Sequence, residues 1–230
     1  DIVNESIKQN GRIDIGEQFE IEFEIKNSGQ AGLYNAHCIV DIQGVSLEVQ
    51  QDSFYLGSLN TGKNISFLFP AECSQDIPSG KSMQVNLNIR SDGYEKKLVS
   101  NHRIGLYVED WEKGDFTSFK WKRNEYKLWQ LGDTIGKGNG HGLRSTEIGD
   151  DDTSGIEIML EVLSDDSVCF DRRVSSEEDF DYLHFFIDGT SKGNWSGETG
   201  WGNECFTVSE GIHTFSWLYT KDFFRGSGDD

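Results

Sequence analysis

The chain has 230 residues, with 21 Lys+Arg against 40 Asp+Glu and a formal net charge of -19. So acidic a surface repels a phosphate backbone, which needs a basic stripe to release its counterions, and a general nucleic-acid binder is excluded. Hydrophobic residues make up 35%, and no apolar run approaches the roughly 20 residues that a membrane-spanning helix needs. Gly is abundant (26) and Pro scarce (2), and short Val/Ile/Phe/Trp runs are punctuated by Asn-Gly, Asp-Gly and Ser-Gly, the pattern of an all-β chain. No charged segment followed by an apolar one opens the sequence, so any signal peptide is expected either to have been removed or to precede the residues given.

Composition divides the chain in two. Residues 1–106 carry 9 Lys+Arg and 14 Asp+Glu, net -5, whereas residues 107–230 carry 12 and 26, net -14. All six Trp lie after residue 110. The join falls near Leu106-Tyr107-Val108 without a Pro/Ser/Gly linker, so two domains, 1–106 and 107–230, are expected to follow each other semi-rigidly.

In the first domain Gln18 to Ile25 alternates apolar and acidic residues, which puts Phe19, Ile21, Phe23 and Ile25 on one buried face and three glutamates in water. Further short strands are expected at Ala36 to Ile42, Ser46 to Val49, Ile65 to Phe69, Met83 to Ile89 and Lys97 to Leu106. Six or seven strands in so short a span make an immunoglobulin-like sandwich. The order of landmarks is Gly-Arg-Ile-Asp-Ile-Gly-Glu, Lys26-Asn27-Ser28-Gly29, Leu56-Gly57-Ser58-Leu59 and Ile77-Pro78-Ser79-Gly80. It resembles the immunoglobulin-like modules of secreted bacterial proteins, including those that follow the catalytic domain of gingipain-type peptidases.

The second domain opens Glu109-Asp110-Trp111-Glu112-Lys113-Gly114-Asp115-Phe116 and continues through Trp121, Trp129, Gly142-Leu143-Arg144-Ser145 and a strand within Ser164 to Glu178. Asp181 to Gly189 forms a hairpin arm, followed by Trp195-Ser196-Gly197-Glu198, Trp201 and Gly211 to Asp222. That succession resembles the adhesin-type jelly-roll domains of Bacteroidetes surface and secreted proteins, gingipain adhesin domains among them, and more distantly the MAM domain. The resemblance implies a jelly-roll β-sandwich outside the cell in a binding role. It also implies a closing strand after the Gly-Ser-Gly-Asp-Asp stretch, which this domain is expected to lack. A structural Ca2+ bridging the two ends of such a domain would match Glu109 and Asp110 with Asp229 and Asp230.

Candidate chemistry is sparse. His141-Gly142 and Cys169 superficially match a Cys/His peptidase pair, but Cys169 lies mid-strand in Ser167-Val168-Cys169-Phe170-Asp171, where no oxyanion hole is to be expected. No strand carries the paired carboxylates of a jelly-roll glycoside hydrolase, and no Cys-x-x-Cys or clustered His suggests zinc. The four cysteines divide two per domain, Cys38 with Cys73 and Cys169 with Cys205; free thiols are the leading expectation, with a disulfide in each domain as the alternative. The acidic runs Asp150-Asp151-Asp152, Asp165-Asp166 and Glu177-Glu178-Asp179 read as solvated turns.

Aromatic faces stack on the apolar faces of sugar rings. Trp121, Trp217 and Phe215 read as core, which leaves Trp195 and Trp201 on a Gly-rich loop and Trp129 near Asn124-Glu125-Tyr126 as ligand candidates, although the family pattern makes the Trp201 position structural. The expected function is therefore a non-catalytic binding or adhesion region of a secreted or cell-surface bacterial protein, recognising protein or glycan downstream of a catalytic domain. The alternative is a pair of ligand-free spacer modules behind a cysteine peptidase domain.

Overall fold

The structure is a computed structural model and describes residues 1–123 and 127–224. It is an all-β chain that packs as two compact units, Asp1–Val108 and Glu109–Asp230.

The first unit is an immunoglobulin-like sandwich. Its strands are β1 (Ile2–Val3), β2 (Gln18–Lys26), β3 (Leu33–Gln43), β4 (Glu48–Val49), β5 (Ser53–Leu59), β6 (Asn64–Glu72), β7 (Ser82–Ser91) and β8 (Tyr94–Arg103). They form two antiparallel sheets in the orders β1-β2-β6-β4 and β5-β3-β7-β8, while Ile13 makes a parallel bridge to Ile104. The alternation of β2 is realised as read: Phe19, Ile21, Phe23 and Ile25 are buried, in one core with Phe69 of the neighbouring β6 and with Val85 and Ile89 of β7 in the other sheet. Two stretches depart from the sequence pattern. Ser53–Leu59 is a strand that buries Phe54, Leu56 and Leu59 despite Gly57, whose φ of 69° sits at a register shift between β3 and β5. β8 ends at Arg103 rather than reaching Leu106, because Gly105, at φ 61°, turns the chain out of the sheet.

The second unit contains β9 (Lys122–Arg123), β10 (Gln130–Gly132), a 3-10 turn (Lys137–Asn139), β11 (Gly142–Arg144), β12 (Thr153–Val162), β13 (Asp166–Arg172), β14 (Tyr182–Ile187), β15 (Thr190–Trp195), β16 (Gly202–Val208) and β17 (Gly211–Thr220). Five of these make one sheet in the order β15-β14-β17-β12-β9, and two ribbons, β13-β16 and β10-β11, stand apart from it. Side chains alternate across the sheet, and its inner face carries Leu183, Phe185 and Ile187 from β14, Phe215, Trp217 and Tyr219 from β17, and Ile156 and Ile158 from β12. The β13-β16 ribbon packs Val168, Phe170, Phe206 and Val208 onto one end of that face. Leu143 of β11 and Trp129 cover the other end. The result is an all-β sandwich in which two ribbons cover one face of a five-stranded sheet. The Asp188-Gly189 turn between β14 and β15 has positive φ at both residues, 51° and 73°, as the twist of a two-residue hairpin demands.

Cys169 and Cys205 point away from Phe170 and Phe206, yet they are not free thiols. They are direct partners across the β13-β16 ribbon and form a disulfide with Cα atoms 4.2 Å apart. Residues opposed at that spacing on an antiparallel pair bring their sulfurs together. Cys38 and Cys73 are unpaired and buried, and burial pushes the Cys38 thiol up to about 11.

A two-stranded ribbon is marginal by itself, so the disulfide carries part of the cover over the inner face. Replacing both Cys169 and Cys205 by Ser is expected to lower the stability of the second unit by about 2–4 kcal/mol, read as a fall in its thermal midpoint. An unchanged midpoint would mean that apolar contacts alone hold the ribbon.

In the first unit, burial lowers the His102 pKa to about 4, helped by the charge of the chain's amino terminus. Between that value and the ordinary 6.5 the unfolded chain takes up a proton that the folded one does not, so stability falls as pH is lowered through this window. Because His102 is only partly buried, the effect should be on the order of 1–2 kcal/mol. Denaturant titrations from pH 7 to 4 should show it, and His102→Gln should flatten the slope; an equal slope in the variant would assign the loss to other groups.

Candidate functional site

The residues that the sequence offered as ligand contacts occupy unequal positions. Trp129 is buried at 7% exposure against Ile156 and Tyr219, which leaves its ring no free face for a sugar. Trp195 lies on the inner face, where it closes over Gly193, meets Phe170 edge-on at 6.0 Å and is capped by the Arg172 guanidinium at 4.8 Å. Arg172 is itself anchored by Glu204 at 2.6 Å. Trp201 is exposed on the segment leading to β16, with Arg173 5.9 Å from its ring.

The acidic candidates divide similarly. Both oxygens of Glu109 accept hydrogen bonds, one from the Trp111 amide at 3.3 Å and one from the Trp121 indole N–H at 3.2 Å, and Asp110 accepts from the Glu112 amide at 3.1 Å. Asp229 and Asp230 lie outside the described residues, as do Asn124, Glu125 and Tyr126. Among the described residues no group of three or more His, Cys, Asp or Glu is placed to hold a metal ion. The acidic runs act locally: Asp152 pairs with Lys127, and Asp165 accepts from the Glu210 amide at 3.0 Å.

The Cys/His pair has no nucleophile geometry. Cys169 is in its disulfide, and His141 sits between Glu112 at 3.0 Å and Asp133 at 2.8 Å. Its hydrogen bond to Glu112, with the charge of Asp133, raises the His141 pKa. His213 is held in the same manner by Asp188 at 2.7 Å, and that hydrogen bond likewise raises its pKa.

The arrangement best suited to a ligand is one that sequence reading missed, on the outer face of the five-stranded sheet. Residues of β14 that point away from the core are Tyr182, His184 and Phe186, all half-buried. Their rings form a row, with centroids 5.6 Å apart between Tyr182 and His184 and 6.0 Å between His184 and Phe186, and mutual tilts of 34° and 38°. Burial lowers the His184 pKa, and its Nε2 meets the Thr220 hydroxyl at 3.1 Å, so the ring is neutral and already oriented. The next strand places Leu218 beside His184 and Ser216 beside Phe186, and β12 places Gly155 and Glu157 beyond them. A Cβ on Gly155 would collide with the Leu218 side chain, which therefore lies across the glycine as the floor of a shallow groove. Lys122, Thr153 and Glu157 line its sides, and Lys122 donates to Glu157 at 2.6 Å. Met159 and Ile212, at 66% and 68% exposure, extend the same face. The packed clusters of this unit lie on the opposite side of the sheet.

The signal for this face was present in Tyr182-Leu183-His184-Phe185-Phe186-Ile187. An antiparallel sheet that faces water on one side usually alternates apolar and polar residues, whereas β14 is aromatic or apolar on both sides.

No protein-family model matches the sequence, and no curated protein is similar to it. Among solved structures, the chain is similar to the secreted serine protease VesC from Vibrio cholerae, with 17% identity over 98% of this chain and 50% of that one, at a TM-score of 0.34. This chain thus matches half the length of that protease. It is also similar to the CsuC-CsuE chaperone-tip adhesion subunit complex of Acinetobacter baumannii, with 8% identity over 86% and 84% of the two chains and a TM-score of 0.28. A lectin from Pleurotus ostreatus in complex with GalNAc shares 11% identity over 97% and 74%, at 0.24.

The two faces of β14 predict different costs. Phe185, fully buried, should lose about 3–5 kcal/mol of stability on replacement by Ala. Phe186→Ala and Tyr182→Ala should each cost about 1 kcal/mol or less, since half-exposed rings forfeit less burial. Equal losses on the two faces, measured by denaturant unfolding, would show that the outer row is structural.

Proposed function

We propose that this chain is a non-catalytic binding region of an extracellular protein, and that the outer face of the second unit's sheet takes a glycan. The observation that carries the reading is the row Tyr182, His184 and Phe186 beside the Leu218-Gly155 groove. Aromatic rings left half-exposed on a sheet face offer flat apolar surface at low entropic cost, and sugar rings present the matching C–H faces. Hydroxyl and amide side chains around the row, Thr220, Ser216 and Asn194, supply the polar partners that fix orientation in such sites.

An extracellular setting is supported by the solvent-exposed Cys169–Cys205 disulfide, because such bonds persist in oxidising compartments. The succession of landmarks that resembles adhesin-type jelly rolls and their immunoglobulin-like neighbours supports an adhesive role in a larger bacterial surface or secreted protein. In that setting an upstream catalytic domain, of the cysteine peptidase kind, would be its partner in the full-length protein. Trp201, exposed at the edge of the second unit, is available as an accessory contact.

Glycan and protein arrays probed with the intact chain test this reading. Specific glycan signals that disappear in a Tyr182→Ala, Phe186→Ala double variant are the expected result. A blank on both arrays would instead support modules that act only as spacers, and protein signals untouched by the double variant would move the contact to another surface.

A further inference from the structure

We infer that the ligand of this face is a neutral oligosaccharide of more than one ring, held at one end by the β14 aromatic row and at the other by the Lys122–Glu157 pair. This rests on the glycan reading above and adds the class of glycan and the residues that select it.

Charge decides the class. Residues 107–230 carry 12 basic against 26 acidic side chains, a field that repels uronates, sulfates and sialic acids before contact. Two cations line the groove, and one of them, Arg123, has its guanidinium on the Phe116 ring, 4.0 Å from the ring centre. The aromatic row of the outer face is uncharged, since burial keeps His184 in its neutral form. The Lys122 ammonium in the groove donates to Glu157 at 2.6 Å, so that cation is already answered by a carboxylate. An anionic sugar would have to displace Glu157 and pay for the exchange with an acidic surface around it. A neutral sugar meets no such penalty.

The groove also has the form that a sugar hydroxyl pair requires. A carboxylate accepts from hydroxyls and an ammonium donates to them. Glu157 and Lys122, side by side on β12 and β9, therefore address two adjacent hydroxyls of one ring at once. Leu218, folded over Gly155, lies next to them as an apolar floor. The Lys122–Glu157 pair is solvent-exposed on the lysine side, 79%, so as an ion pair alone it adds little stability. Its removal is correspondingly mild for the fold.

Distance decides the size. Phe186 pairs with Ser216, and Ser216 with Glu157, so the aromatic row and the carboxylate are two strands apart, about 10 Å at the usual strand spacing. A single ring cannot touch both, and a chain of linked rings laid across β14, β17 and β12 can.

The test uses the intact chain in affinity gels and calorimetry with neutral polysaccharides (xyloglucan, galactomannan, mixed-linkage glucan), their oligosaccharides, and two acidic polymers, polygalacturonate and heparin. The expected result is binding to at least one neutral polymer and to neither acidic one, with affinity rising from mono- to tri- or tetrasaccharide. Lys122→Met and Glu157→Gln should each weaken it about tenfold, with melting midpoints unchanged. Binding to an acidic polymer, affinity independent of chain length, or full affinity in both pair variants while Phe186→Ala abolishes it, would each overturn this inference and leave the broader glycan reading standing. Failure of all polymers and of the glycan array together would overturn both.

Discussion

The second unit depends on one constraint: a five-stranded antiparallel sheet has two faces, and among the described residues the packed clusters lie on only one of them. Phe185, Phe215, Ile156 and Ile158 sit on the side that is covered, and the cover comes from two small ribbons rather than a full second sheet. The β13-β16 ribbon can serve because its strands are joined covalently through Cys169 and Cys205 and because Val168, Phe170 and Phe206 all project to the same side. Once that face is closed, everything alternate to it is left toward solvent, including three rings that an ordinary solvated face would replace by polar residues. The proposed binding surface is thus the geometric complement of the core. Both are fixed by the register of β14 against β17, since a slip of one residue would exchange them.

The two units differ in how they treat their outward faces. In the first, the outward residues of β2 are Glu20, Glu22 and Glu24, and those of β7 include the half-buried Gln84 and Asn88, whereas Asn86 is fully buried. Apolar side chains stand among them, Leu68 of β6, Tyr55 of β5, Ile39 of β3 and Val99 of β8, each exposed. In the second, β14 turns Tyr182, His184 and Phe186 outward, and β17 and β12 contribute Leu218 and Met159. Net charge is concentrated in the same unit, while its outer sheet face combines the aromatic row, Leu218 and Met159 with the Lys122–Glu157 pair.

Much of the fold was legible because strand alternation in β2, β3 and β7 places each apolar residue two apart, and because Asp188-Gly189 marks a tight hairpin. β5 was not, since Gly57 interrupts its pattern and only the packing of Phe54, Leu56 and Leu59 reveals it. The Cys169–Cys205 bond depended on cross-strand register between segments 36 residues apart, which the spacing of cysteines does not encode. The site was harder still. Tryptophan count drew attention to Trp129 and Trp195, yet large rings near Gly-rich loops serve a small core as readily as a ligand, and these two do the former. The informative feature was instead a strand with rings on both faces, whose meaning appears only when it is known which face the ribbons cover.

The most direct test of the central claim is a heteronuclear NMR titration of the intact chain with a neutral tetrasaccharide that the binding assays select. The expected result is a set of amide and side-chain shift changes confined to β14, β17, β12 and β9, largest at Tyr182, Phe186, Leu218 and Glu157. Changes centred on Trp201 or on the strands of the first unit, with the outer face of the five-stranded sheet unperturbed, would contradict it.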